Sequence, residues 1–248
     1  MDDRLRQICS GNTLRGESMW QLDESGFAII PALVSGYWLN QVAQAYDQAM
    51  ASASGPDFKV ASTTTRFSDL LSHTSAFDDV FLCPQLLEAA SHLIDESFKL
   101  SSFLGRTLRA GTPAQELHAD LPRDSADAPL LGFILIIDPF RKANGATRFV
   151  PGSHQWPDLS SDRLSDTRQP HPGEVLACGD PGTIILFNGA IWHGHTANST
   201  AHPRRSIQGY FVRRSAHSGF DFRKRLHTAA HTRMSAAARY LLALDDEV

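Results

Sequence analysis

The sequence predicts an α+β fold that is mainly β, with a jelly-roll core and flanking helices. Helical patterns dominate up to about residue 98, and short strand patterns separated by glycine and proline turns dominate after it. Helices followed by strands are typical of α+β domains, and many short strands can close into a cupin-like double-stranded β-helix. The length of 248 residues suits one large domain of this type.

We expect a single domain over residues 1–248, with a helical part at about 1–98, the jelly-roll core at about 99–215 and a helical tail at about 216–248. In the first part, Trp38, Val42, Tyr46 and Met50 recur at helical spacing. The elements predicted there are a short helix at 19–25, a strand at 27–31, a helix at 35–51, a loop-rich stretch at 52–80 and a helix at 84–97.

The core is predicted from β-prone runs bounded by turn residues such as Asn144-Gly145 and Pro181-Gly182. The predicted strands lie at 100–109, 130–138, 146–150, 173–177, 182–187 and 205–212. A terminal helix is expected at 236–244.

Composition narrows the classes of function. A net charge of −4 argues against a nucleic-acid binder, which needs a basic excess. Cys9, Cys83 and Cys178 form neither a disulfide framework nor a zinc pattern, so a reducing compartment is indicated and a cytoplasmic location is expected. No apolar stretch reaches the roughly 20 residues of a membrane-spanning helix, and the N-terminus lacks the apolar run of a secretory signal.

The residues that indicate chemistry are His118-Ala119-Asp120 and the distant His193. Two imidazoles and one carboxylate are the donors of the facial triad that holds non-haem Fe(II) and leaves positions open for O2 and other small molecules. Residues i and i+2 of a strand share a face, so His118 and Asp120 could point at one metal, with His193 donated by a neighbouring strand. A His-x-Asp tripeptide alone is weak evidence, since it is common by chance.

Further motifs surround the triad in a fixed order. They are Gln115 to Asp120, Asn144 to His154 with its Pro-Gly-Ser-His end, Gly179 to Phe187, Trp192-His193-Gly194, Asn198 and Arg204. In this order the set resembles the phytanoyl-CoA dioxygenase family of Fe(II)/2-oxoglutarate oxygenases, over about residues 27–213. The resemblance implies Fe(II), 2-oxoglutarate as co-substrate and O2, with His118, Asp120 and His193 as metal ligands and catalytic residues. It also implies that a C–H bond of a small molecule is oxidised, most often hydroxylated, with release of succinate and CO2.

The resemblance also assigns the co-substrate contacts. Arg204 has the family's spacing after His193, and a guanidinium can hold the distal carboxylate of 2-oxoglutarate with two parallel hydrogen bonds. Ser206 shares the face of Arg204, and His195 stands where related enzymes often have a small polar residue. Arg205 is the rival anchor, because a register error of one residue is easy in a strand, and His195 is likewise the rival of His193.

Several motif residues are expected to be structural. Asn144, Gly145 and the Pro151-Gly152-Ser153 run are typical of turns. His154 could be a metal ligand by residue type, but a structural role in the turn is favoured. Four arginines could reach an anionic substrate or form structural ion pairs: Arg66, Arg106, Arg109 and Arg148.

Two alternatives of other classes remain open. One is a cupin-type metal-binding protein or metalloenzyme that does not use 2-oxoglutarate, and Arg204 discriminates against it. The other is a non-catalytic binding module, against which the complete triad argues. Since Asp120 occupies the position that related halogenases leave free for chloride, the resemblance favours hydroxylation. The identity of the small-molecule substrate and the oligomeric state are not predicted.

Overall fold

The computed structural model describes residues 3–9, 14–31, 33, 36–156 and 166–245. Within these ranges the helices are α1 (Asp3–Cys9), α2 (Gly16–Glu24), α3 (Gly36–Ser52), α4 (Leu70–His73), α5 (Asp78–Phe81), α6 (Pro84–Ile94), α7 (Phe222–Arg225), α8 (Thr228–Arg233) and α9 (Ala236–Leu241). The strands are β1 (Phe27–Ile30), β2 (Phe58–Val60), β3 (Thr64–Phe67), β4 (Phe98–Leu108), β5 (Leu130–Ile136), β6 (Thr147–Phe149), β7 (Val175–Ala177), β8 (Ile184–Asn188), β9 (His193–His195) and β10 (Arg204–Arg213).

In the described part of the chain, these strands form two antiparallel sheets. The main sheet has the order β1-β8-β5-β10-β4-β3-β2, and the minor sheet has the order β7-β6-β9. The long strand β10 lies inside the main sheet, where it pairs with β4 on one side and β5 on the other. The expected fold class, mainly β with a jelly-roll core and flanking helices, is confirmed.

The apolar run of β5 is buried on both faces of the main sheet. Phe133 and Leu135 pack into a large core with the helices, whereas Ile134 and Ile136 belong to a smaller core with residues of the minor sheet. Alternate residues of a strand point to opposite faces, so a strand covered on both sides reads as continuously apolar. The smaller core supports the site, since its Phe149 and Phe187 rings both lie against the His193 ring.

The prediction that 52–80 is loop-rich is wrong. This stretch contains β2 and β3, which extend the main sheet beyond β4, together with α4 and α5. The two strands are only three and four residues long, too short for alternation to be recognisable, and pairing with β4 stabilises them. Helices α1, α7 and α8 lie in the two parts expected to be helical, although no individual helix was predicted at their positions. The expected start of the 35–51 helix, Ser35, lies outside the described residues.

No helix in the described ranges has both the length and the apolar character needed to cross a bilayer.

Candidate metal centre and co-substrate pocket

The three predicted metal ligands come together. One donor atom from each of His118, Asp120 and His193 lies within 4.8 Å of the other two. Asp120 Oδ1 is 3.7 Å from His118 Nε2, and Asp120 Oδ2 is 3.5 Å from His193 Nε2. Donor atoms about 2.1 Å from a shared ion lie roughly 3 Å apart in neighbouring positions, so small side-chain rotations suffice to bring all three to one metal ion.

His118 and Asp120 do not lie in a strand, which corrects the expectation that they share one: His118 forms an isolated bridge and Asp120 lies at a bend. His118 makes an isolated antiparallel bridge to His193, with reciprocal N–H···O distances of 2.9 and 2.8 Å. The chain then turns away, and the Asp120 N–H donates to the Gly189 carbonyl at 2.9 Å. The bridge places the two histidines directly opposite each other, and tertiary pairing rather than strand periodicity therefore brings the triad together.

Hydrogen bonds to backbone carbonyls orient both imidazoles. Nδ1 of His118 donates to the Glu116 carbonyl at 3.1 Å, and Nδ1 of His193 donates to the Ile191 carbonyl at 3.0 Å. A proton on Nδ1 leaves the Nε2 lone pair free to bind metal. Burial lowers the pKa of His193, so this ring is in the neutral form that a metal requires.

Asp120 is held by a tyrosine that the sequence analysis missed. The Tyr210 hydroxyl donates to Asp120 Oδ2 at 2.8 Å. Burial, together with the nearby Asp120 charge, raises the pKa of Tyr210 well above its usual value, so the phenol stays a donor. Tyr210 lies an even number of residues from Arg204 and Ser206 in β10, and this shared face was the signal available in the sequence.

Two motif residues fix the segment around His193. The Ser153 hydroxyl oxygen accepts the Trp192 N–H at 2.9 Å, which ties the Pro-Gly-Ser-His turn to the strand that carries the ligand. At Gly194 a Cβ atom would lie 2.9 Å from the Gln115 carbonyl oxygen and 3.0 Å from that of Glu116. Only glycine therefore lets β9 approach the His118 segment this closely.

Arg204 lies at the start of β10 with its side chain buried. The residue is 2% exposed, its guanidinium carbon lies 3.7 Å from the centre of the Phe140 ring, and its Nε and Nη1 atoms have no hydrogen-bond partner among the described residues. Burial, and secondarily the charge of Arg106, lowers the pKa of Arg204 to about 9. A buried cation with unused donors is unfavourable by itself and favours binding of an anion.

The rival anchor, Arg205, points to the other face of β10. Its guanidinium bonds both carboxylate oxygens of Asp138, at 2.7 and 2.9 Å, and reaches Asp47 at 2.7 Å. These ion pairs occupy its donors. The structure therefore favours Arg204 over Arg205 as a group that can bind a ligand.

Arg204 and His193 line one small cavity. Its other lining residues come from the two sheets and the segment before His118, and are Arg106, Gln115, Ile134, Thr147, Phe187, Gly194, His195, Gln208 and Tyr210. His193 and Arg204 thus face the same cavity. This arrangement is required if 2-oxoglutarate binds the metal at one end and Arg204 at the other. Gln115 and Thr147 are polar lining residues to which the sequence analysis assigned no role.

The two other predicted contacts of the co-substrate, His195 and Ser206, differ in whether they line the cavity. His195 lines the cavity, but its Nδ1 donates to the Thr196 carbonyl at 2.8 Å, which leaves Nε2 as a buried acceptor with no partner in the described ranges. Burial lowers the pKa of His195 to about 3, so the neutral ring cannot donate to a carboxylate from Nε2. Ser206 is buried and donates to the Arg106 carbonyl at 3.3 Å, and it is not among the lining residues.

His154 and Asn198 have structural partners. Nε2 of His154 donates to the Asp23 carbonyl at 2.9 Å, away from the triad, which agrees with the turn role favoured for it. The Asn198 amide donates to the carbonyls of Arg109 and His202 and accepts from Thr200, so it shapes the loop that leads into Arg204.

Comparison with known proteins finds a matching family model and relatives that are named dioxygenases. Residues 22–206 match the family model described as phytanoyl-CoA dioxygenase. Dioxygenase trt7 of Aspergillus terreus is 32% identical, over 58% of this chain and 52% of its own, and dioxygenase FrzG of a Cladobotryum species is 30% identical, over 68% and 60%. The chain thus spans only about half of the length of the curated relatives it matches.

Solved structures share the fold. HygX from Streptomyces hygroscopicus, with nickel and 2-oxoglutarate bound, has a TM-score of 0.69 at 16% identity, covering 83% of this chain and 90% of that one. The non-heme alpha ketoglutarate dependent epimerase SnoN from nogalamycin biosynthesis has a TM-score of 0.67 at 16% identity, covering 79% and 82%. Because the family model matches most of the sequence, the chain belongs to the phytanoyl-CoA dioxygenase family.

Proposed function

We propose that this protein is an Fe(II)- and 2-oxoglutarate-dependent dioxygenase that hydroxylates a C–H bond of a small molecule and releases succinate and CO2. The observation that carries the proposal is the buried guanidinium of Arg204, whose Nε and Nη1 have no hydrogen-bond partner among the described residues, in the same cavity as His193. A metal-binding protein of the same fold that does not use a dicarboxylate has no need of this buried cation. His118, Asp120 and His193 are the proposed ligands of Fe(II).

The donor set fits Fe(II). Two neutral imidazoles and one carboxylate, without a thiolate, suit a ferrous ion that keeps positions open. When bound, the iron supplies the activation of O2 and the oxidising power, with 2-oxoglutarate as the source of two electrons. The protein supplies binding, orientation and a water-poor environment.

Different side chains of the site serve binding, orientation and the exclusion of water. Arg204 is placed to hold the distal carboxylate of 2-oxoglutarate, Tyr210 holds the rotamer of Asp120, and Phe187 and Ile134 exclude water. The His193 side chain is 10% exposed and that of His118 is 38% exposed. The His118 side of the centre is therefore the side from which we expect a substrate to approach.

A small-molecule substrate is supported by the structural neighbours, since HygX has been crystallised with hygromycin B and SnoN with nogalamycin RO. The net charge of −4 gives no support for a nucleic-acid partner.

We further propose that residues 1–248 act as one oxygenase domain. We also propose that the protein is cytoplasmic, because its three cysteines are free thiols.

The test begins with protein prepared without oxygen. Adding Fe(II) and 2-oxoglutarate should produce a visible charge-transfer band, and exposure to O2 should then release succinate across a panel of small metabolites. His118→Ala, Asp120→Ala and His193→Ala should each abolish the band, whereas His217→Ala should not, because His217 is on the surface with a 96% exposed side chain. If the three triad variants keep the band and iron-dependent succinate release, the assigned site is wrong.

A further inference from the structure

We propose that the substrate of this enzyme carries a carboxylate group and that Arg106 binds it. The inference rests on the proposed function and adds the charge class of the substrate. The inference follows from the different surroundings that the structure gives to four arginines. The sequence predicts that each of them could bind an anion, and they are Arg66, Arg106, Arg109 and Arg148.

Two of the four are occupied elsewhere. Arg148 is 2% exposed and pairs with Glu174 at 3.2 Å, and it also donates to the Gln115 carbonyl at 2.7 Å. Arg109 donates to the carbonyls of Ala61 and Ser62 at the surface. Both side chains have structural partners, and neither lines the cavity beside the metal centre.

Arg106 lines that cavity without an acidic partner. Its Nη1 and Nη2 make only long hydrogen bonds to neutral amides, 3.4 Å to Gln208 Oε1 and 3.3 Å to Gln115 Oε1, and its buried Nε has no partner among the described residues. Burial, followed by the charge of Arg66, lowers the pKa of Arg106 to about 10. Its donors are therefore available to a stronger acceptor, such as a carboxylate.

The position of Arg106 separates it from the co-substrate anchor. In the sheet register Arg106 lies opposite Ser206, and on its other side it lies opposite Arg66 of β3, which is exposed. Arg204 lies two pairs further along the same ladder, opposite Leu108, and is enclosed. Arg66, which is exposed, and Arg106, which lines the cavity, thus form a positively charged path from the solvent edge of the sheet toward the metal centre. This path ends before Arg204.

The charges of the cavity leave one positive charge without a partner. Among the described residues that line the cavity, Arg106 and Arg204 contribute two positive charges and none is an acid; Arg66 is exposed and does not line the cavity, so it is not counted. Asp120 neutralises part of the charge of Fe(II), and 2-oxoglutarate brings two negative charges. With two for the arginines and two for iron, minus one for Asp120 and two for 2-oxoglutarate, the loaded site keeps a single positive charge. A carboxylate matches this charge, whereas a phosphate monoester carries about −1.5 to −2 at neutral pH.

The test needs no knowledge of the natural substrate. The protein is loaded with Ni(II) in place of iron, so that no turnover occurs, and is saturated with 2-oxoglutarate. Acetate and the neutral isostere acetamide are then titrated separately, and the broadening of each methyl proton resonance by the paramagnetic ion reports binding near the metal centre. We expect acetate to bind at least fivefold more tightly than acetamide.

Variants of the arginines assign the preference. Arg106→Gln should bring the two dissociation constants within twofold of each other, Arg106→Lys should retain the preference for acetate because it keeps the charge, and Arg109→Gln should behave as the wild type. Equal binding of acetate and acetamide to the wild type, absence of binding by either, or a preference that persists in Arg106→Gln would overturn the proposal. Failure of the wild-type protein to bind 2-oxoglutarate, seen in the loading step, would instead overturn the proposed function and this inference with it.

Discussion

Replacement of Arg204 by methionine should weaken 2-oxoglutarate binding and stabilise the free protein at the same time. The fall of the Arg204 pKa from its usual 12.5 to about 9 corresponds to roughly 5 kcal/mol of unfavourable free energy for the charged form in the ligand-free protein. Methionine removes this penalty but loses the stacking on Phe140, which contributes about 1–2 kcal/mol. The difference predicts that the free energy of unfolding of the ligand-free protein rises by about 3–4 kcal/mol, the upper part of the range seen when buried charges are replaced by apolar residues.

The loss of affinity follows from the donors that Arg204 offers. Nε and Nη1 have no partner in the part of the chain that the structure describes, and two hydrogen bonds to a charged group contribute about 1.5–3 kcal/mol each. Even the lower value predicts a KM for 2-oxoglutarate that is more than about 100-fold higher, since each 1.4 kcal/mol is a factor of ten. Metal binding should change little, because Arg204 is not a ligand.

Urea unfolding of the metal-free protein and succinate release at varied 2-oxoglutarate concentration measure the two effects. Arg205→Met is the matched control, because Arg205 is the next residue and binds Asp138 and Asp47 instead of facing the cavity. It should leave the KM within twofold of the wild-type value. An Arg204→Met variant that is less stable than the wild type, or whose KM rises no more than that of the control, would refute the reasoning.

Three further predictions concern the metal centre. Tyr210→Phe removes the 2.8 Å hydrogen bond to Asp120 and should weaken Fe(II) or Co(II) binding about 10-fold in a metal titration, with little change in the melting temperature. Gly194→Ala places a Cβ against two carbonyl oxygens and should cost about 1–3 kcal/mol of unfolding free energy in urea titrations; no loss would mean that β9 can shift. Because the folded-state pKa of His195 lies below the usual 6.5, at about 3, the unfolded chain binds more protons between these values, so acidification from pH 6.5 to pH 5 should destabilise the metal-free protein by about 2 kcal/mol. His195→Asn should flatten that pH dependence, and an unchanged slope would assign it to another group.

The long helices and strands were predicted more closely from the sequence than the short ones. The long elements α3, α6, β4 and β10 were predicted within about three residues of their observed ends, because periodicity over ten or more residues averages out local exceptions. The strands β2 and β3 were missed, since three or four residues carry no readable period and their stability comes from pairing with β4.

Residue types and spacing, together with the family resemblance, predicted the donor set of the centre and the anchor arginine, because His118, Asp120, His193 and Arg204 are recognisable in the sequence with the motifs around them. Tertiary structure decided the rest. It placed the histidines on opposite sides of one isolated bridge, turned Arg205 outward into ion pairs, and left Arg106 with only neutral partners in the cavity. The physical reason is that the pairing of segments distant in the chain sets which donors remain unsatisfied, and a linear sequence does not specify that pairing.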